Sequence, residues 1–181
     1  MEEIALRIRI FGDPVLRKKS SAVKKVTARH REALSKMAQL MYEGEGVGLA
    51  APQAGINENM IVVDIGEGLY KLVNPRIVKA TGSQVNQEGC LSVPGLCIKV
   101  KRANKITLKA LDDEGKSLDI KAEGLLACVF QHEIDHLKGK LIVDYASLIK
   151  KIEIARALKR LKDQVKDEES IKHTKSCKLQ L

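Results

Sequence analysis

The residues best suited to chemistry lie in one short segment, His132-Glu133-Ile134-Asp135-His136. On a helix, which turns by about 100° per residue, His132, Glu133 and His136 fall within an arc of about 100°. Two neutral imidazoles on one face can bind a divalent cation, and the adjacent carboxylate can take a proton from water. The apolar run LLACVF that precedes the segment argues against solvent exposure, because His and Glu are rarely buried without partners. The segment therefore predicts a metal site.

A catalytic metal site generally has three protein ligands, so a third ligand must come from elsewhere in the chain. Cys90 is the best candidate, because it lies between Gly89 and a Pro-Gly turn in the loop-like stretch QEGCLSVPG. One thiolate with two imidazoles suits zinc or iron(II). Asp144 and Glu153 have no supporting local pattern. Cys97 is disfavoured as a second sulfur ligand, because the six residues between it and Cys90 make a poor chelate loop.

A third segment with chemical potential is GVGLAAPQAG, residues 46–55. Gly46 and Gly48 stand at alternate positions, so that another backbone, such as an extended peptide, can approach closely. Most such glycine pairs only form a turn, and this pattern alone is weak. Gln53 is an amide among small apolar residues, which favours a role as a hydrogen-bond donor.

The sequence around these segments predicts a helix and several strands that can position them. Leu34, Met37, Ala38 and Met41 are spaced at i, i+3, i+4 and i+7, which predicts an amphipathic helix ending at Gly44. Alternating or continuous apolar runs then predict strands, the last two of which form a hairpin: residues 61–65, 70–74, 106–111 and 117–122.

Two further helices follow the hairpin. Gly124 opens the apolar run that carries the two histidines, so this helix is expected to be buried inside the domain. A final helix, from about residue 147 to 168, has Lys and Arg opposite one apolar stripe, which consists of Leu148, Ile152, Ala155, Leu158, Leu161 and Val165. Residues 169–181 predict a flexible tail. We therefore expect an α+β fold: a β-rich single domain at residues 1–168 around a buried central helix, with a C-terminal surface helix.

Composition limits the possible function classes. The chain has 181 residues and 44% hydrophobic content, which suits one compact domain. No run of eighteen apolar residues and no secretory leader is present, so we expect a cytoplasmic protein without a membrane partner. The four cysteines lie far apart and form no CxxC pair, which gives no support for a disulfide framework. The net charge of +9 is concentrated in the two ends of the chain, which are expected to face water or a polyanion.

The segments GVGLAAPQ, EGCLS and QHEIDH, in this order and spacing, resemble the three signature motifs of the peptide deformylases. The resemblance extends over roughly residues 10–150. It implies a hydrolase that removes the formyl group from formyl-methionine of nascent polypeptides and releases formate. It also implies one metal ion per chain, typically Fe²⁺, with Zn²⁺ or Ni²⁺ able to substitute.

The resemblance also assigns roles to individual residues. Cys90, His132 and His136 would be the metal ligands, and Glu133 the general acid and base. Gln53 and the backbone N–H of Leu91 would donate hydrogen bonds to the formyl oxygen, an arrangement that stabilises developing negative charge.

Further residues are expected to bind the substrate or to support the metal ligands. The methionine side chain needs an apolar slot beside the metal, although each proposed member could equally be part of the core. The slot is predicted from Gly46, Val47, Gly48, Leu125, Cys128 and Val129. Glu88, just before the Gly-Cys pair, is expected to support a ligand, with Arg102 as its ion partner.

Two other functions remain open from the sequence. HExxH is also the motif of metallopeptidases, which would hydrolyse internal amide bonds in an open cleft. A non-enzymatic RNA-binding module would explain the basic ends, but only 3% of the residues are aromatic, which leaves few platforms for stacking bases. Alongside catalysis, the basic C-terminal helix is a candidate surface for binding the ribosome.

Overall fold

The computed structural model describes residues 6–166, so the tail predicted at 169–181 lies outside the described residues. Its three α-helices are α1 (Ala28–Glu43), α2 (Gly124–Leu137) and α3 (Leu148–Lys166). Its strands are β1 (Gly48–Ala50), β2 (Met60–Val63), β3 (Tyr70–Thr81), β4 (Gln84–Glu88), β5 (Ile98–Arg102), β6 (Lys105–Leu111) and β7 (Ser117–Glu123). One sheet has the order β1-β2-β3-β6-β7, and β4 pairs with β5 in a second sheet. The predicted α+β fold is confirmed.

The five-stranded sheet is covered by a helix on each face. All four residues of β2 are buried, and they alternate between two cores. Ile61 and Val63 pack in the cluster that contains α2 residues such as Phe130. Met60 and Val62 pack in the other cluster, with the apolar side of α1. The sheet therefore separates α1 from the helix that carries the two histidines.

Helix α2 is buried, as its apolar sequence predicts. It begins directly after the β6–β7 hairpin at Gly124, whose φ of +59° is in the left-handed region and favours glycine. Phe130 is completely buried and meets the ring of Tyr70 edge to face, with 5.3 Å between the ring centres. The helix is thus fixed against the sheet along its length, which gives its polar face a defined position.

A third core joins the two-stranded sheet to the C-terminal part of the chain. Val100 of β5 packs with Ile142 and with Ile154 and Leu161 of α3. The predicted stripe on α3 is partly wrong, because Leu148 and Ile152 are 81% and 77% exposed. Packing begins only at Ile154, so the first turns of α3 present apolar side chains to solvent. No helix within residues 6–166 is long and apolar enough to span a bilayer.

Candidate metal centre

The three predicted ligands converge beside the C-terminal half of α2. His132 and His136 lie one helical turn apart, with 3.2 Å between their Nε2 atoms. Cys90 follows the end of β4, and its Sγ lies 3.3 Å from Nε2 of His136. The ligand atoms of all three residues lie within 4.8 Å of one another, and all three residues are buried. Strand β4 therefore brings the sulfur to the two imidazoles that the helix aligns.

This donor set fits a single four-coordinate ion. For bonds of about 2.0–2.3 Å, the neighbouring ligands of a tetrahedral ion lie about 3.3–3.8 Å apart. The observed separations of 3.2 and 3.3 Å are close to that spacing. One sulfur and two imidazole nitrogens are typical ligands of zinc and iron(II). The arrangement can therefore hold a catalytic ion without a large rearrangement of the protein.

Glu133 lies against β1, where Gly48 makes room for it. A Cβ atom at Gly48 would collide with the Glu133 carboxylate and would come within 2.9 Å of Cγ1 of Val129. Oε2 of Glu133 is buried and makes no hydrogen bond to the described residues. Burial raises the pKa of Glu133 to about 7, against the lowering effect of His132 and Arg102. A carboxyl group with this pKa can both take up and release a proton near neutral pH.

Gln53 is held in one orientation beside the sulfur ligand. Its side chain is buried, and Oε1 accepts a hydrogen bond of 2.8 Å from the backbone N–H of Ala50. Nε2 lies 3.2 Å from Oγ of Ser92 and 3.5 Å from Sγ of Cys90. Because the carbonyl end is fixed by the backbone, the NH₂ end faces the metal cluster. Leu91 follows Cys90 directly, so its backbone N–H lies next to the same ligand.

Glu88 supports His132 from behind. Its Oε2 lies 2.9 Å from Nδ1 of His132. A carboxylate in this place keeps the proton on Nδ1, so that Nε2 is free to bind a metal. Arg102 contacts both carboxylate oxygens of Glu88, at 2.5 and 2.8 Å. Burial alone would raise the pKa of Glu88, but the hydrogen bonds from Arg102 and His132 lower it to about 2. The predicted ion pair is present, and it keeps Glu88 charged.

The supporting network extends to Asp135 and Tyr145, to which the sequence assigned no role beside the metal ligands. Nη1 of Arg102 lies 2.7 Å from Oδ2 of Asp135. Tyr145 donates a hydrogen bond of 2.7 Å to the same oxygen, and the Arg102 guanidinium lies 5.3 Å from the centre of its ring. Nothing in the local sequence identifies these two partners of Asp135. Ser92 was missed for the same reason, since its contact with Gln53 joins distant segments.

Of the predicted slot residues in the GVG segment, Gly48 lies beside Glu133. A Cβ atom at Gly46 would come within 2.9 Å of Cδ1 of Leu91, so this glycine allows the Cys90 loop to approach. Val47 is partly buried against the core that contains α2. Gly48 lies close to the side chains of Val129 and Glu133. These contacts place the segment between Glu133 and the loop that carries Cys90.

The other slot residues lie on α2 before His132. Leu125 is half-buried, whereas Cys128 and Val129 are buried. Sγ of Cys128 lies 3.2 Å from Oε1 of Glu88. Burial, and then the charge of Glu88, raise the pKa of Cys128 to about 12, so this cysteine remains a thiol and donates to the carboxylate.

The weaker ligand candidates lie outside the cluster. Asp144 forms an ion pair with Arg17 at 2.6 Å, and Glu153 pairs with Lys150 at 3.0 Å. Cys97 is disulfide-bonded. The cysteine spacing gave no indication of this bond.

The fold and the site together define a class of protein, a small α+β enzyme domain with a Cys-His-His metal centre. The profile of the polypeptide deformylases matches residues 5–152. Peptide deformylase of Halothermothrix orenii is 52% identical over 141 residues, which cover 77% of this chain and 92% of the relative.

Solved structures agree with the sequence comparison. The crystal structure of a peptide deformylase from Legionella pneumophila has a TM-score of 0.82 at 40% identity and covers 91% of this chain and 98% of its own. That from Thermus thermophilus has a TM-score of 0.83 at 37% identity, with coverages of 87% and 97%. The chain therefore belongs to the peptide deformylase family, whose members are metal-dependent hydrolases.

Proposed function

We propose that this chain removes the formyl group from the N-terminal formyl-methionine of nascent polypeptides and releases formate. One observation supports this most strongly: a buried Cys-His-His cluster lies beside Glu133, and no residue in the range 6–166 donates a hydrogen bond to Oε2 of that carboxyl group. Residues 1–168 would act as one catalytic domain in the cytoplasm.

The metal is proposed to be one Fe²⁺ ion per chain, bound by Cys90, His132 and His136, with Zn²⁺ or Ni²⁺ able to replace it. When bound, the ion supplies a Lewis acid for the formyl carbonyl and makes water more acidic. A sulfur ligand with two nitrogen ligands is compatible with all three ions. Elemental analysis of protein purified without oxygen would identify the ion, and a preparation that is active without any of these metals would contradict the proposal.

Protein groups would carry the proton transfers and the oxygen charge. Glu133 accepts a proton from the attacking water and later donates it to the leaving amine, which its pKa of about 7 allows. Nε2 of Gln53 and the backbone N–H of Leu91 donate to the formyl oxygen as negative charge develops there. Glu88 and Arg102 position His132, and they do not contact the substrate.

The methionine side chain would enter between the two walls of the slot. Gly46, Val47 and Gly48 form one wall, and the α2 residues Leu125, Cys128 and Val129 form the other. The missing side chain of Gly48 is important, because a Cβ there would meet both Glu133 and Val129. Cys128→Phe would fill this space and is expected to raise KM for formyl-methionyl peptides. Unchanged kinetics would remove Cys128 from the slot.

A substrate pair separates deformylation from peptidase activity. The metal-loaded protein should release formate from formyl-Met-Ala-Ser and leave acetyl-Met-Ala-Ser intact. A metallopeptidase would instead cut internal amide bonds of both peptides. Products can be identified by mass spectrometry, with Glu133→Gln as the control for metal-dependent background. Cleavage of an internal bond without formate release would favour the peptidase.

The basic helix α3 is proposed to bind the ribosome. Five of its cationic side chains are exposed: those of Lys151, Arg156, Lys159, Arg160 and Lys162. The apolar Leu148 and Ile149 in its first turn are exposed as well. Contacts between cationic side chains and RNA phosphates weaken steeply as the salt concentration rises, because the release of counterions then gains less free energy.

Ribosome co-sedimentation at low and high salt tests this contact. A triple variant with Gln at Lys151, Lys159 and Arg160 should bind more weakly and lose most of the salt dependence. A matched triple variant with Gln at the exposed β6 and β7 positions Lys105, Lys109 and Lys121 controls for net charge. Equal weakening in both variants, or no effect of deleting residues 147–181, would contradict a specific role for α3.

A further inference from the structure

Strand β4 places a second polar side chain next to the predicted methionine slot. Side chains on a strand alternate between its two faces, and Glu88 faces α2, where it contacts Cys128 and His132. Asn86 stands two residues before Glu88 and therefore shares its face. Val85, on the opposite face of the same strand, is 62% exposed and points away from the helix.

The amide of Asn86 reaches the α2 wall of the slot. Its side chain contacts the thiol of Cys128, one turn before His132 on the helix. Nδ2 of Asn86 is buried and makes no hydrogen bond of acceptable geometry to the described residues. The Cys128 thiol donates its own hydrogen to Glu88, and its sulfur is only a weak acceptor, so this contact does not fully satisfy the amide. A buried unpaired N–H group is costly, and native structures rarely retain one without a partner or a function.

A methionine side chain in the slot would bring a further acceptor to the Asn86 amide. The thioether sulfur is a weak hydrogen-bond acceptor, whereas the methylene group at the same position in norleucine accepts nothing. The two side chains are otherwise nearly equal in length and are both unbranched. An amide donor at the slot would therefore favour methionine over norleucine, although the two side chains have nearly the same shape.

We propose that Asn86 is a specificity residue whose Nδ2 donates to the sulfur of the substrate methionine. This inference rests on the proposed deformylase function and on the placement of the slot at Leu125 and Cys128. It gives Asn86 no part in the hydrolytic step. Its contribution is to substrate binding, so the effect is expected mainly on KM.

The test compares formyl-Met-Ala-Ser with formyl-norleucine-Ala-Ser on the metal-loaded enzyme. We expect the wild type to have a kcat/KM several-fold higher for the methionine peptide, about two- to tenfold for one neutral hydrogen bond. Asn86→Leu should bring the ratio close to one, mainly by raising KM for formyl-methionine. Asn86→Val, whose β-branched side chain suits a strand, is a second variant that should give the same ratio.

Gln87→Leu is the matched control. It removes an amide from the adjacent residue, which is exposed on the opposite face of β4, and should keep the wild-type ratio. A wild-type ratio near one would overturn the inference, as would a wild-type ratio that persists in the Asn86 variants, which would mean that water satisfies the amide. If no formate is released from either peptide, the deformylase proposal itself fails. Equal release from both peptides refutes only the role of Asn86.

Discussion

The two sides of α2 differ in how their buried carboxylates are paired. On the side towards β4 and β5, Glu88, Arg102 and Asp135 form a continuous chain of short charged hydrogen bonds. On the side towards β1, Oε2 of Glu133 is buried and makes no hydrogen bond to the described residues. A buried polar group without a partner costs free energy, so a protein rarely retains one that has no function. The difference in pairing therefore suggests that the two sides of α2 have different roles. The paired side would fix the ligand geometry, and the unpaired side would carry Glu133, which we propose acts on the substrate.

The largest expected effect is on the unpaired side. Glu133→Gln keeps the size of the side chain but removes its ability to accept a proton. We expect formate release to fall by about 10²–10⁴-fold, the usual contribution of a general acid or base. The bound metal should remain, because Glu133 is not among the ligands. Steady-state kinetics with elemental analysis of the same sample would check both points, and activity close to that of the wild type would refute the assignment.

On the paired side, Arg102→Met should affect stability most. It leaves Glu88 buried without its cation, and breaking such a pair typically costs about 3–5 kcal/mol in the free energy of unfolding. Arg17→Met is the matched control, because Arg17 and its partner Asp144 have side chains that are 43% and 40% exposed. Its cost should be at most about 1 kcal/mol. Urea denaturation of the metal-loaded variants measures the difference, and equal losses would contradict the distinction between the two pairs.

Gln53 lies on the side towards β1, where its NH₂ group contacts Ser92 and Cys90. Gln53→Leu removes the proposed donor to the formyl oxygen, and such a loss typically lowers kcat by about 10²-fold or more. Since the variant also removes the contact with Cys90, its metal content must be measured beside its kinetics. A lower kcat at full metal occupancy supports the donor role. A defect that disappears on adding metal would instead show that Gln53 only positions the sulfur.

The smallest expected effect is a pH dependence at the surface. Burial alone would raise the pKa of Asp144, but the hydrogen bond from Arg17 lowers it below its usual value of 3.8. The stability that this lowered pKa provides is therefore present above about pH 4 and is lost as the pH falls through the folded-state pKa. Asp144→Asn should cost at most about 1 kcal/mol at pH 6. The difference from the wild type should vanish at lower pH, and a constant difference in acid unfolding would contradict this origin.

The elements of this fold follow from local patterns, whereas several site contacts do not. The run before His132 is apolar on almost every side, and this alone predicts a buried helix. Helix spacing predicts that His132 and His136 share a face. Gly12 is an example of a contact that local patterns do not predict. A Cβ atom at this position would lie 3.0 Å from Cα of Lys162, which is far away in the sequence.

Long-range contacts explain what the sequence missed. Tyr145 reaches Asp135 only because the segment after α2 folds back against β5. Leu148 fits the apolar period of α3 but is exposed, since periodicity gives the spacing of a stripe and not where its packing begins. In the sequence, Asn86 is an ordinary polar residue of a strand. Only the contacts of Glu88 with α2 show that this face of β4 is turned inward.

The most direct test of the account is the metal content and formate release of Cys90→Ala measured on one sample beside the wild type. If Cys90, His132 and His136 hold the ion together, the wild type should bind about one ion per chain and release formate, and Cys90→Ala should lose both. Cys97→Ser is the control, because Cys97 lies outside the cluster, and it should retain its ion. A Cys90→Ala protein with one bound ion and the activity of the wild type would contradict the central claim.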